Sequence, residues 1–367
     1  MRILVQLSHP AHFHYYRIAI QNWQRNGHEV LVLIKTKDIL EELVKNANVP
    51  YININPKPHR DSKFGVLWDM LIRDWRIFKI CLKKKIDVLT GSTAEIAQIG
   101  WLLRKPAICT GEDDADAVPA FVRFTAPFLK VRLTPVSCNS GKMELKTIKY
   151  ESYHELAYLH PNHFQADKSA VERYFPVDSP YFIIRFASLK AHHDAGIKGI
   201  NAKIAQNLID ILKPYGRIYI TSERELEPQF EQYRIKINPL DIHHVMAFAS
   251  LYIGDSQTMA AEAAVLGVPF VRYNDFVGRI GYLNELENSY HLGFGIKASQ
   301  EKSEDNLYKT VTELLSTPNR KEEWQKRRQK MLSEKIDYAK FLTWFIENYP
   351  ESRRIMKENP DYQWRFR

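Results

Sequence analysis

Four segments of the chain carry side chains suited to moving protons or to binding phosphate and sugar oxygens. The first is Ser8-His9-Pro10-Ala11-His12-Phe13-His14. It follows an apolar run and opens a stretch of helical spacing, the position at which open parallel sheets bind ligands. An imidazole there donates to a sugar or phosphate oxygen or acts as a general base, because its pKa lies near neutrality. The alternative is that one histidine caps the helix and the others are solvated. His12 and His14, two residues apart in a helical turn, point in different directions, and no third metal ligand is set by the spacing. The second segment, Glu112-Asp113-Asp114 with Asp116, offers either a base or oxygen ligands for Mg²⁺, or simply a helix cap and a solvated face.

The third segment holds Arg185 inside an apolar run, followed by Ser188, Lys190, His192 and His193. Arg185 or Lys190 can offset the charge on a departing nucleoside diphosphate; otherwise Arg185 pairs with a structural carboxylate and Lys190 is solvated. The fourth runs Gly254-Asp255-Ser256-Gln257-Thr258-Met259 into a small-residue helix that ends at Leu266-Gly267-Val268-Pro269. A short polar turn between a buried strand and a helix leaves unpaired backbone N–H groups at a positive dipole end, which suits a diphosphate. Glu262, four residues after Thr258 and on the same helical face, can accept from ribose hydroxyls. A plain junction with Asp255 or Ser256 as N-cap reads equally well.

These segments need a scaffold. Apolar runs at 2–8, 29–35, 51–55, 87–92 and 106–111 alternate with helical spacing at 13–26, 37–47, 64–85 and 93–104. A second series has strands at 181–188, 217–223, 251–255 and 269–274, with helices at 198–213, 241–249 and 257–266. Strands alternating with helices predict parallel, doubly wound sheets, so the fold class is α/β with two Rossmann-like domains. The proline-bearing FPVDSP segment at 175–180 reads as the linker. The expected domains are 1–176, 177–340, and a C-terminal helix and tail at 341–367 that packs back on the first domain. Helices fill 303 to about 348, interrupted at Pro318-Asn319.

A chain of 367 residues exceeds the usual size of a single core. Its 45% hydrophobic and 26% charged residues exclude disorder and collagen-like structure. The net charge of +9 favours acidic partners such as nucleotide phosphates or lipid headgroups. Cys81, Cys109 and Cys138 lack the C-x-x-C spacing of zinc or redox motifs and read as reduced thiols of a cytoplasmic protein. The N-terminus lacks a signal-peptide pattern, and no apolar run approaches the roughly 20 residues of a membrane span. Phe64, Leu67, Trp68, Leu71, Trp75 and Phe78 recur at helical spacing ahead of Lys83-Lys84-Lys85, and 121–132 (FVRFTAPFLKVR) has a similar mixture. Such stripes are either core or a peripheral contact with an anionic bilayer at the inner face of the membrane. Basic charge alone gives no specific nucleic-acid partner.

Taken together, S-H-P-A-H-F-H, G-H-E-V at 27–30, G-E-D-D at 111–114, Y-x-x-Y-H-E-L-A-Y-L-H-P at 150–161 and G-D-S-Q-T-M-A-A-E-A-A-V-L-G-V-P at 254–269 resemble the DUF354 family. The resemblance spans about residues 1–300 and implies the glycosyltransferase-B fold, two facing Rossmann-like domains with a cleft between them, and a nucleotide-sugar ligand. It implies that the second domain holds the nucleotide, with Ser256 to Met259 near phosphate and Glu262 near ribose. The first domain then holds a glycan or lipid-linked acceptor. Non-hydrolysing UDP-N-acetylglucosamine 2-epimerases share this architecture, and Asp255-Ser256 with Glu262 echo their D-S-G-G-x-x-E-E-A pattern without its glycines.

The expected function is transfer of a nucleotide-activated sugar in surface polysaccharide or glycoconjugate synthesis, without a cofactor or an obligatory metal. The alternatives are a 2-epimerase or a non-catalytic nucleotide-sugar-binding partner. Catalytic candidates are His9, His12, His14, Glu112 and Asp113. Binding candidates are Arg185, Lys190, Gly254, Asp255, Ser256, Gln257, Thr258, Met259, Glu262 and Glu155.

Overall fold

The computed structural model describes residues 1–55, 63–187 and 198–367. The chain forms two compact units, residues 1–163 with 335–367, and residues 164–334.

The first unit is built on seven parallel strands: β1 (Arg2–Leu7), β2 (Glu29–Lys35), β3 (Tyr51–Asn55), β4 (Val88–Gly91), β5 (Ala107–Thr110), β6 (Val131–Pro135) and β7 (Thr147–Tyr150). Their order is β3-β2-β1-β4-β5-β6-β7. The central strands are apolar almost throughout, as burial on both faces requires. The strand order reverses direction between β1 and β4, and a crevice at the C-terminal ends of those two strands is the place where this topology accommodates a ligand. Gly91 at the end of β4 is forced: a Cβ there would lie 2.9 Å from the Gln6 carbonyl oxygen and 3.0 Å from Ile96.

Strands β6 and β7 were not expected from the sequence. Arg132 interrupts the apolar pattern of β6, and β7 has only four residues. Arg132 is nonetheless 1% exposed, because it donates to the Asp113 carbonyl at 2.9 Å and so braces the loop after β5. The 121–132 stretch is thereby divided. Residues 119–125 form a surface helix, whereas Val131 and Arg132 lie buried in the sheet and cannot meet a bilayer.

The second unit carries β8 (Tyr181–Phe186), β9 (Arg217–Ser222), β10 (Leu251–Gly254), β11 (Phe270–Tyr273) and β12 (Gly293–Ile296), ordered β12-β11-β10-β8-β9 and all parallel. Its reversal falls between β8 and β10. Strand β12, with two glycines in four residues, gave no apolar signal.

The chain leaves the first unit at 163/164 and returns at 334/335, against expected boundaries at 176/177 and 340/341. The side chains show why. The His163 ring bonds Asp337 at 2.8 Å, while Phe164 packs on His244 with ring centroids 4.8 Å apart. The returning segment is bound firmly: Ile336 N–H donates to the Glu151 carbonyl at 2.8 Å, Ser152 donates to the Ile336 carbonyl at 2.7 Å, and Tyr150 stacks on Tyr338 at 4.4 Å. The three cysteines are free and buried. Among the described residues no helix is long and apolar enough to cross a membrane.

Candidate functional site

In the first unit, strand β1 ends at Leu7 and the helix Pro10–Arg25 begins three residues later, with Pro10 fitting the first turn where its missing N–H costs nothing. His9 is the N-cap; its ring accepts the Ala11 N–H at 3.2 Å. His14 turns into the core against Tyr158, with ring centroids 5.4 Å apart. His12 is the histidine at the strand ends. Its Nδ1 accepts the Ser8 N–H at 3.3 Å and lies 3.2 Å from the Ser8 hydroxyl. That donor leaves the proton on Nε2, which makes Nε2 a hydrogen-bond donor. Burial, then the nearby His9, Lys35 and Lys37, holds the His12 pKa well below its ordinary value, so the ring is neutral at pH 7.

Behind His12 lies a chain of hydroxyls. Tyr15 Oη is 2.5 Å from the Thr110 hydroxyl and also bonds Ser92, which is 2.8 Å from Thr110. The Tyr15 ring stacks on His154 at 4.3 Å. His154 is buried, and its backbone N–H donates to Glu112 Oε2 at 3.1 Å; the same oxygen lies 3.4 Å from its Nδ1. Burial, then the neighbouring carboxylates of Glu155 and Asp113, raises the Glu112 pKa well above the usual carboxylate range. Burial, then His12 and Arg132, lowers that of His154. Both shifts oppose charge: burial disfavours the carboxylate of Glu112 and the imidazolium of His154. His154 Nε2 is buried and has no hydrogen-bond partner among the described residues. Such an atom is costly unless a ligand or water satisfies it.

The acidic run diverges in space. Asp113 is exposed, and Asp114 accepts the Asn139 N–H at 2.7 Å. Among the described residues no group of three His, Cys, Asp or Glu is arranged to hold a metal ion, so the Mg²⁺ reading of the run lacks a converging ligand set. Glu155 is 1% exposed and acts on this group by its charge.

In the second unit β10 delivers Gly254 and Asp255 to the strand reversal. A Cβ at residue 254 would lie 2.5 Å from the Tyr252 hydroxyl and 2.8 Å from Arg185 Cβ, so only glycine fits. Asp255 is buried, with its oxygens committed to the backbone N–H groups of Ala187 at 2.6 Å and Ile200 at 3.3 Å. Burial raises its pKa to about 6, against those two hydrogen bonds. Ser256 caps the helix Gln257–Leu266, its hydroxyl accepting the Met259 N–H at 3.4 Å. Ser256, Gln257 and Thr258 are half-exposed, whereas Met259 and the rest of the helix are buried. The accessible part of this turn is thus three residues and their amides. Gln257 Oε1 accepts from Asn274 at 3.1 Å.

Glu262 is buried, with Oε1 2.9 Å from His243 Nε2. Arg185, one residue before the end of β8, bonds Thr221 and the carboxylate of Glu223, so its charge already has an internal partner. Lys190, like Ser188, His192 and His193, lies outside the described residues.

Of the described candidates, His12 and Glu112 lie at the first reversal and Arg185, Asp255, Ser256, Gln257 and Thr258 at the second, whereas His14 faces the core, His9 is a cap and Asp113 is exposed. Sequence reasoning missed His154, Tyr15, Ser92, Thr110 and His243. Only His154 had a signal, in the Y-H-E-L segment. Lys35 was missed as well: it ends β2, and burial lowers its ammonium to about 8, with Glu95 opposing that shift. A lysine terminating an apolar strand is otherwise unremarked in a sequence.

The family model described as "Protein of unknown function (DUF354)" matches residues 1–278. No curated protein matches the chain. Solved structures share its fold across nearly the whole length. The spinosyn rhamnosyltransferase SpnG complexed with thymidine diphosphate aligns with a TM-score of 0.63 at 14% identity, covering 94% of this chain and 99% of that one. The UDP-GlcNAc 2-epimerase from Neisseria meningitidis bound to UDP-GlcNAc aligns at 0.64 and 14% identity, covering 93% and 98%. S. aureus MnaA with UDP aligns at 0.65 and 10% identity, covering 98% and 97%. The architecture is the glycosyltransferase-B fold.

Proposed function

This chain belongs to the DUF354 family, and we propose that it is a glycosyltransferase that moves a sugar from a nucleotide donor to an acceptor hydroxyl in surface polysaccharide or glycoconjugate synthesis. The observation that carries the reading is the buried His154 Nε2, unpartnered among the described residues and backed by Glu112, at the strand ends of the first unit. In this reading His154 takes the proton of a glycan or lipid-linked acceptor as the acceptor oxygen bonds to the sugar and the nucleoside diphosphate leaves, Glu112 Oε2 steadies the imidazolium from beside Nδ1, and the Nε2–H of His12 donates to a substrate oxygen. Tyr15, through its stacking on His154, fixes the ring that must accept the proton. No step in this scheme calls for a metal.

The nucleotide belongs to the second unit. The amides and hydroxyls of Ser256, Gln257 and Thr258 at a helix N-terminus suit a diphosphate. Glu262, buried against His243, meets ribose hydroxyls only by opening that pair. Asp255 and Gly254 shape this turn. Arg185 meets the diphosphate only by exchanging its Glu223 partner. The same fold in proteins bound to thymidine diphosphate and to UDP supports a nucleotide ligand.

A second reading, epimerisation of a nucleotide sugar at C2, draws support from the epimerases among the structural relatives and from the Glu112–His154 pair, since a proton must leave and return in that reaction. The third is a binding partner without turnover. Thermal melting against a panel of nucleoside diphosphates and nucleotide sugars tests all three at their common root. A ligand at 100 times its Kd adds about 2.7 kcal/mol, and the gain should vanish in Glu262→Ala. Absence of any shift would sink the nucleotide-sugar reading. With the donor known, nucleotide release only when an acceptor is added identifies a transferase, a 2-epimer formed without acceptor identifies an epimerase, and binding with neither identifies the partner role.

A further inference from the structure

The helix Lys63–Lys83 presents two apolar faces. Arg73, Ile77 and Cys81 are buried, and Ile77 and Cys81 pack with Ile96 and Ile99 of the helix Ala94–Leu102 in the first unit's core. On the outward side, Trp68, Leu71, Trp75 and Leu82 are 55%, 51%, 57% and 56% exposed. Their spacing of three, four and seven residues keeps them on one stripe, which at 1.5 Å per residue is about 21 Å long. A core stripe should not be the more exposed one. Two tryptophans left in water two helical turns apart, with leucines along the same stripe, mark a contact surface.

The neighbouring helices extend it. Trp101 and Leu102, at the end of the helix Ala94–Leu102, are 54% and 56% exposed, and Phe124 of the helix Pro119–Thr125 is 38% exposed. These helices share the core cluster that Ile77 and Cys81 join.

The charges beside the stripe decide what covers it. Lys79 sits with Nζ 5.2 Å from the Trp75 ring centre, and Lys79, Lys83, Lys84 and Lys85 are all exposed along or just beyond the same face. The two acids of this helix, Asp69 and Asp74, lie off the stripe and are only partly exposed. Tryptophan is the residue most at home at the headgroup level of a bilayer, and lysines beside it are drawn to anionic lipid. A stripe of Trp and Leu flanked by Lys, on a helix too charged to span, is the arrangement of a helix that lies in the interface plane.

We propose that this face docks on an anionic membrane surface, with Trp68, Leu71 and Trp75 entering the headgroup layer and Lys79 and Lys83 engaging acidic lipid. The inference stands apart from the reaction assigned above, since none of these residues belongs to either strand reversal.

The test is co-sedimentation of the full chain with phosphatidylcholine vesicles containing or lacking phosphatidylglycerol, with sedimentation equilibrium of the chain alone. The wild type should pellet with the anionic vesicles, much less with the neutral ones, and should lose binding at high salt. Trp68→Ser/Trp75→Ser and Lys79→Glu/Lys83→Glu should each weaken binding at least about tenfold while melting as the wild type does, because all four side chains are exposed. Failure to pellet, or pelleting unchanged in both variants, overturns the proposal. A concentration-dependent dimer dispersed by Trp68→Ser/Trp75→Ser overturns it in favour of a second copy of the chain.

Discussion

The two strand reversals, alike in topology, are equipped in opposite ways. At the end of β1 and β4 the first unit gathers side chains whose protonation is displaced by burial: His12 and His154 downward, Glu112 upward. At the end of β8 and β10 the second unit has charged side chains that are already partnered, Arg185 with Glu223, Glu262 with His243 and Asp255 with two backbone N–H groups. What it leaves accessible is a capped helix N-terminus. The first arrangement suits proton transfer, which needs a group balanced between two states. The second suits retention of an anion, which needs fixed dipoles that do not reorganise. Both reversals end a central strand in a glycine, Gly91 and Gly254, because in each the neighbouring strand, through the Gln6 carbonyl oxygen or Arg185 Cβ, passes too close for a Cβ.

This contrast predicts effects of graded size. Glu112→Gln should reduce turnover by about 10²- to 10⁴-fold, while the melting shift given by the nucleotide stays as in the wild type; equal loss of both would erase the division of labour. Asp255→Ala removes the acceptor of the Ala187 and Ile200 N–H groups, at about 1–3 kcal/mol for each buried donor left unsatisfied, and should weaken nucleotide binding with it. Gly254→Ala should cost about 1–3 kcal/mol through overpacking against Tyr252 and Arg185. Urea unfolding measures both. Neither change should alter a reaction step confined to Glu112 and His154.

Asp255 also sets a pH dependence. Its folded pKa of about 6 exceeds the ordinary 3.8, so the native state holds this proton longer than the unfolded one does. The stability it contributes is complete below about pH 4, falls as pH rises toward 6, and is flat beyond. Asp255→Asn should remove that slope; a slope unchanged in the variant would assign it to other groups. The smallest effect expected is about 1 kcal/mol for Ser256→Ala, the ordinary worth of an N-cap. A much larger loss of nucleotide affinity than of stability in that variant would show the hydroxyl touching phosphate.

The sequence by itself determined the alternation of strand and helix, the two Rossmann-like halves and the positions of both candidate loops, because apolar periodicity and strand-end loops are local properties of the chain. It did not disclose β6 and β12, where Arg132 and two glycines break the apolar pattern and only burial against neighbouring strands makes them sheet. Nor did it separate His9, His12 and His14, which are alike as residues and differ only in what lies beyond them: a cap, a strand end and a core. The tertiary structure alone brought His154 to Glu112 across 42 positions of chain, and turned Asp255 from a candidate ligand contact into the anchor of the loop after β8. It also gave the helix Lys63–Lys83 a buried side at Arg73, Ile77 and Cys81 and left Trp68, Leu71 and Trp75 of the stripe exposed. Those decisions depend on which distant surfaces meet, since burial and charge at a side chain are set by neighbours far away in the sequence.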